Sequence, residues 1–190
     1  MSLHVLVLVG SLRAGSTNAQ LADAAIAHLP AGVDGTVFAR LAELPHYSED
    51  LDHDDSLPEV ARDLREVVAD ADAVLLVSPE YNGSLPGVLK NAVDWVSRPR
   101  GTAAIAGKPA AVIGASGSPR GALWAREDGV KVLKVAGAAP LEDTLGVGSA
   151  FQAFHAVRLL DPELDGALRT LVTDLVDAAQ RTSDSDRPAA

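Results

Sequence analysis

Apolar residues fall along the chain in two rhythms. Continuous runs at residues 5–9, 73–77 and 110–113 are apolar at every position, which marks strands buried on both faces, as inside a parallel sheet. Between them the apolar positions recur at helical spacing. Leu21, Ala22, Ala25, Ile26 and Leu29 form one stripe, ended by Pro30. Val60, Ala61, Leu64, Val67, Val68 and Ala71 form the clearest one, and Val88, Leu89, Ala92, Val93 and Val96 the next. A weaker helical stretch leads through Leu133, and Leu164, Leu168, Leu171, Val172 and Leu175 share the last stripe. Two β-prone runs complete the pattern: Thr36, Val37 and Phe38 as a second strand, and a short last strand around Leu141. Residues 41–56 show no period and read as a long surface loop, while residues 181–190 read as a polar tail beyond a single domain at 1–180.

Strands alternating with helices specify an α/β fold with a parallel sheet between two helical layers. The simplest arrangement is a three-layer, doubly wound, five-stranded sheet of flavodoxin-like order 2-1-3-4-5. In that order the chain winds outward in opposite directions from strands one and three, and ligands bind at the C-terminal ends of those strands. The loops after strands one, three and four are all elaborate, and all three open at that edge.

Composition narrows the classes. A 47% hydrophobic fraction with 22% charged residues fits a globular protein, and no apolar run reaches the roughly 18 residues of a membrane span. The N-terminus leads straight into a strand rather than a signal peptide, so a cytoplasmic location is expected. With no Cys, disulfides, thiolate zinc sites and dithiol redox chemistry are excluded together, and any electron transfer must use a bound cofactor. A net charge of -10 argues against nucleic acid as a partner. His46, Asp50, His53 and Asp55 lie close in sequence, but an acidic loop without H-E-x-x-H spacing is read as solvated, and no metal is assigned.

The first loop, Gly10-Ser11-Leu12-Arg13-Ala14-Gly15-Ser16-Thr17-Asn18, joins a strand to a helix N-terminus, where unpaired N–H groups and the macrodipole favour an anion. Ser16 stands where a Walker A loop needs Lys, and Leu12 breaks a G-x-G-x-x-G fingerprint. An NTPase and a dinucleotide site are thereby disfavoured, and a monophosphate fits better. The plain alternative is a strand-to-helix connection with a Ser cap. The second loop, residues 78–87, contains Asn82-Gly83, a favoured turn pair whatever is bound.

The first loop, together with Ser78-Pro79-Glu80-Tyr81-Asn82-Gly83-Ser84-Leu85-Pro86-Gly87-Val88-Leu89-Lys90-Asn91-Ala92-Val93-Asp94-Trp95, resembles the NADPH-dependent FMN reductase family over roughly residues 3 to 178. The resemblance implies that Ser11, Arg13, Ser16, Thr17 and Asn18 hold the FMN phosphate. Pro79, Glu80, Tyr81, Asn82 and Gly83 would line the isoalloxazine ring largely through their backbone, with Ser116 and Gly117 closing its other edge. The family often shows a Gly-Gly pair near Arg120-Gly121-Ala122, and the sequence departs from it there. Residues 44–50 resemble a family loop near the substrate pocket; long structureless loops are often binding loops, which would turn Tyr47 toward a ligand, and Trp95 would pack at a subunit interface, as helices of the family do, or else at the edge of the core. The implied activity is transfer of hydride from NADPH or NADH through FMN to a small acceptor such as a quinone, free flavin, azo compound or metal oxyanion. Such chemistry needs no catalytic side chain; a homodimer or homotetramer is implied, without a membrane. The alternatives are a flavodoxin-type electron carrier and a non-catalytic protein that retains the fold.

Overall fold

The structure, a computed structural model, describes residues 2–155 and 158–185. Its parallel sheet is built from β1 (Leu3–Val9), β2 (Val33–Val37), β3 (Ala73–Val77) and β4 (Pro109–Ala115). The last position is shared by β5 (Ala139–Pro140) and β6 (Leu145–Val147), both paired with β4. The order is β2-β1-β3-β4-β5, as the alternation of strands and helices predicts. Strand side chains divide by parity. Val5, Val7 and Val9 of β1 enter one core with α1 (Thr17–Ala27) and α5 (Pro162–Ser185), while Leu6 and Leu8 enter the other with α2 (Glu59–Asp70), α3 (Gly87–Val96) and α4 (Leu123–Ala136). β3 and β4 divide in the same way, which is why the runs 5–9, 73–77 and 110–113 are apolar without interruption.

Several boundaries differ from the sequence expectation. β2 starts at Val33, because Val33, Asp34 and Gly35 register against Leu3, His4 and Val5; backbone pairing overrides the weak β-propensity of Asp34 and Gly35. The expected last strand around Leu141 is broken in two, since the chain uses two more residues than β4 between the Ala110–Pro140 and Ile113–Leu145 pairs. The helical stripe of α5 continues to Ser185, so residues 181–185 of the expected tail are helical, and 186–190 lie outside the described residues. A short antiparallel pair, β7 (Phe154–His155) with β8 (Arg158–Leu159), has no counterpart in the sequence reading. No helix among the described residues is long and apolar enough to cross a membrane.

The 41–56 segment is folded where the sequence suggests a loose loop. It contains two short 3-10 turns, Leu41–Glu43 and Glu49–Leu51. The Pro45 carbonyl accepts from Asn91 Nδ2 and Trp95 Nε1, each at 2.9 Å, and Asn91 Oδ1 accepts from Tyr47 N at 2.8 Å. Tyr47 stands edge-on to Trp95 with ring centroids 5.0 Å apart. Asp52 takes both Arg65 Nη1 at 2.7 Å and Arg65 Nη2 at 2.9 Å. One expectation is corrected here: Trp95 is fully buried and is not a subunit contact. Tyr47, half-buried, packs one edge against it.

Candidate functional site

β1 delivers the first loop to the C-terminal edge, where Gly10 N donates to Val77 O at 2.8 Å. A Cβ at Gly10 would lie 2.6 Å from Leu89 Cδ1 and 2.7 Å from Pro86 Cγ. Only glycine lets the loop sit this close to the start of α3. Gly15 turns the chain at φ +66°, and Ser16 caps α1 by accepting from Asn18 N at 3.1 Å. Thr17 opens the helix, and Ser11 is half-buried at the start of the loop. Arg13 is exposed and has no hydrogen-bond or ion-pair partner among the described residues.

Asn18 does something the motif does not announce. Its Nδ2 donates to Ala115 O and its Oδ1 accepts from Ala115 N, both at 2.9 Å, and the residue is buried. The side chain joins the first loop to the end of β4. The side chain that the sequence expectation gives to the phosphate is thus held in a brace, whose only signal in the sequence is an amide at the second position of a helix.

The second loop is a tight hairpin turn. Tyr81 and Ser84 exchange backbone hydrogen bonds of 3.2 Å around Asn82 at φ 52° and Gly83 at φ 74°, the two positive angles of a type I′ turn. Pro79 is buried below it, and Tyr81 is 56% exposed on it. Glu80 Oε2 accepts from Trp124 N at 2.8 Å and Ala125 N at 3.2 Å, capping α4, whose own N-cap residue, Ala122, offers no side-chain bond. An acid at a helix N-terminus is favoured twice, by hydrogen bonding and by the macrodipole. Ser84 Oγ donates to Asp128 at 2.5 Å, adding a second tie to α4.

The third loop folds on itself. Ser116 N donates to Val147 O at 3.0 Å, and Ser116 Oγ accepts from Ala122 N and donates to Ser118 O, each at 3.2 Å. The Ser116 hydroxyl is thus engaged within its own loop, while Gly117 is exposed at the top. Arg126 is buried beneath, donating Nε to Gly121 O at 2.9 Å and Nη1 to Thr144 Oγ1. Desolvation lowers its pKa from the ordinary guanidinium value. A Cβ at Gly114 would meet Ser78 O at 2.6 Å, so the second and third loops touch at their roots as well as through Glu80.

The three loops are consequently tied in every pairing: first to second at Gly10 with Pro86 and Leu89, first to third through Asn18, second to third through Glu80 and Gly114. The sequence brought the right loops together. It missed the braces, because a capping acid 44 residues from its helix leaves no periodic signal, and it missed Trp124 and Arg120 on the rim.

Comparison with known proteins follows the same line. The model of a family described as NADPH-dependent FMN reductase matches residues 3–152. A 2-hydroxy-1,4-benzoquinone reductase of a Burkholderia species is 51% identical over 116 residues, spanning 61% of this chain and 62% of that enzyme. An NAD(P)H-dependent FMN reductase of Pseudomonas aeruginosa is 37% identical over 179 residues, 94% of each chain. Among solved structures, the flavoenzyme NAD(P)H:(acceptor) oxidoreductase of Paracoccus denitrificans superposes with a TM-score of 0.82 at 33% identity, covering 94% of this chain and 98% of that one.

Proposed function

The chain belongs to the NADPH-dependent FMN reductase family, and from that premise we propose that it passes electrons from NAD(P)H through bound FMN to a small quinone-type acceptor. The observation that carries the reading is the mutual bracing of three loops over the C-terminal sheet edge, with an unpartnered Arg13 beside the capped start of α1. The residues fit the cofactor. A phosphate at α1 would gain the helix N-terminus, the Ser11, Ser16 and Thr17 hydroxyls and the fixed charge of Arg13. FMN, when bound, supplies hydride acceptance and two-electron delivery.

The protein's own share is position and exclusion. Residues 79–83 would offer backbone groups to one edge of the flat ring, with the type I′ turn holding them in place, and residues 116–117 would close the other. Asn18 fixes the separation of the two ends of the crevice. Glu80 and Ser116 contribute by holding the loops, since the Glu80 carboxylate and the Ser116 hydroxyl are already hydrogen-bonded. No side chain is required to move a proton, and none is assigned that task. The Burkholderia relative's name points to quinones as acceptors. We place the protein in the cytoplasm as a homodimer or homotetramer, for which Val135, at 75% exposed, supplies apolar surface away from the crevice loops.

An anaerobic spectrum of the purified protein tests the reading. A flavin band that bleaches with NADPH and returns on adding benzoquinone is the expected result. Colourless protein that takes up no FMN would sink the proposal, and a stable semiquinone with no steady turnover would move it to the electron-carrier class.

A further inference from the structure

Three exposed aromatic side chains stand around the crevice. Tyr81 lies on the second-loop turn, Phe151 packs at Gly117 and Trp124 packs at Gly83; an added Cβ would stand 2.7 Å from the Phe151 ring and 3.3 Å from that of Trp124. Such a rim suits a planar aromatic ligand. One cation is built into it. The Arg120 guanidinium lies 4.6 Å from the centroid of the Trp124 ring, an attraction that restrains its plane while leaving its N–H donors unspent. The side chain meets no hydrogen-bond acceptor among the described residues. Of the nearby carboxylates, Glu80 is engaged by the N–H groups of Trp124 and Ala125, Asp128 by Lys131 at 2.6 Å and Ser84 at 2.5 Å, and Glu127, one turn beyond Trp124, is exposed and forms no ion pair with Arg120. In a chain of net charge -10, whose field repels anions, a restrained cation without an internal counter-ion marks a place where an anion is wanted.

We propose that Arg120, held on Trp124, determines acceptor specificity by recognising a negative charge on the reducible ring, so that ionised hydroxyquinones and sulfonated quinones are preferred to neutral quinones. The inference rests on the reading of this crevice as a site of NAD(P)H-dependent quinone reduction. The overall reaction balances for either acceptor. The nicotinamide is oxidised by loss of one hydride; a neutral quinone takes up that hydride equivalent and one proton from solvent. A hydroxyquinone anion takes up the hydride equivalent and two protons, and leaves as the neutral hydroxyhydroquinone. Arg120 holds the anion's charged oxygen and takes no part in the transfer.

The test compares the flavin-loaded parent protein with Arg120→Ala and Arg120→Lys, using 1,4-benzoquinone and 1,2-naphthoquinone-4-sulfonate as acceptors. The readout is the ratio of kcat/KM for the sulfonated over the neutral quinone. Arg120→Ala lowers that ratio about tenfold, the size of one charge-assisted hydrogen bond, and Arg120→Lys restores part of it by keeping the charge without the flat fork. Binding of non-reducible naphthalene-2-sulfonate, followed by calorimetry, weakens in the same order. The backbone bond from Arg120 N to Ser118 Oγ, 3.2 Å, survives both substitutions, so the loop keeps its shape. A ratio within twofold of the parent in Arg120→Ala overturns the proposal. So does a loss confined to the KM for NADPH and absent for NADH, which would give Arg120 to the coenzyme's phosphate. Absence of turnover with both quinones in the parent protein would instead remove the reductase reading, and this one with it.

Discussion

At the scale of single residues, the first loop separates ligand binding from bracing. Arg13 is exposed and unpartnered, so removing it costs the fold little and the anion site much. Arg13→Ala is expected to weaken FMN binding about tenfold or more, the worth of a charge-assisted contact to phosphate, with the urea midpoint of the flavin-free protein unmoved. Fluorescence quenching of FMN on titration reads the affinity; unchanged affinity would take Arg13 out of the site. Asn18 should behave in the opposite way. Its substitution by Ala leaves both polar groups of a buried Ala115 backbone without their partner, at a cost of about 2–4 kcal/mol, read as a lower urea midpoint in the flavin-free protein. A variant as stable as the parent would show that water replaces the amide without penalty.

At the scale of elements, the strands were legible because a central parallel strand must be apolar on both faces, as residues 5–9 of β1, 73–77 of β3 and 110–113 of β4 are. The edge was less so: pairing with β1 draws Asp34 and Gly35 into β2, and no residue-by-residue preference anticipates that. Trp95 shows the limit of periodicity. A helical stripe reports the face packed on the sheet, whereas Trp95 is covered by a segment some 50 residues earlier, through Pro45 and Tyr47. That cover depends on charge. The hydrogen bond from Arg65 holds the Asp52 carboxyl below its ordinary pKa, with the Arg65 charge adding to it against the opposing effect of burial. A depressed folded pKa gives stability that is present above the unfolded value, about 3.9, and is lost as the pH falls through the folded value. Asp52→Asn is therefore expected to lose about 2 kcal/mol near neutrality, with the gap to the parent closing as urea melts move from pH 6 toward pH 3. A gap that stays constant with pH would mean that the ion pair contributes no charge-dependent stability.

At the scale of the whole molecule, the arrangement of the loops decides how the protein responds to its cofactor. Each loop is fastened to the other two by the chain's own bonds, through Asn18 and Ala115, Glu80 and the start of α4, and Gly10 under Pro86. The crevice thus needs no ligand to assemble it, and little ordering cost is left for binding to meet. FMN should then stabilise by mass action alone, adding roughly 2.7 kcal/mol at a free concentration of 100 times its Kd. For a domain of this size that corresponds to a rise in Tm of about 5–10 °C. The flavin-free protein is expected to melt in one cooperative transition, and its Tm to climb with the logarithm of added FMN. If the loops instead required FMN to fold, the flavin-free protein would show hydrogen exchange at Ala115 and Trp124 as fast as in an open chain. Strong protection of those two amides, each bonded to a side chain from another loop, is what a preassembled crevice demands.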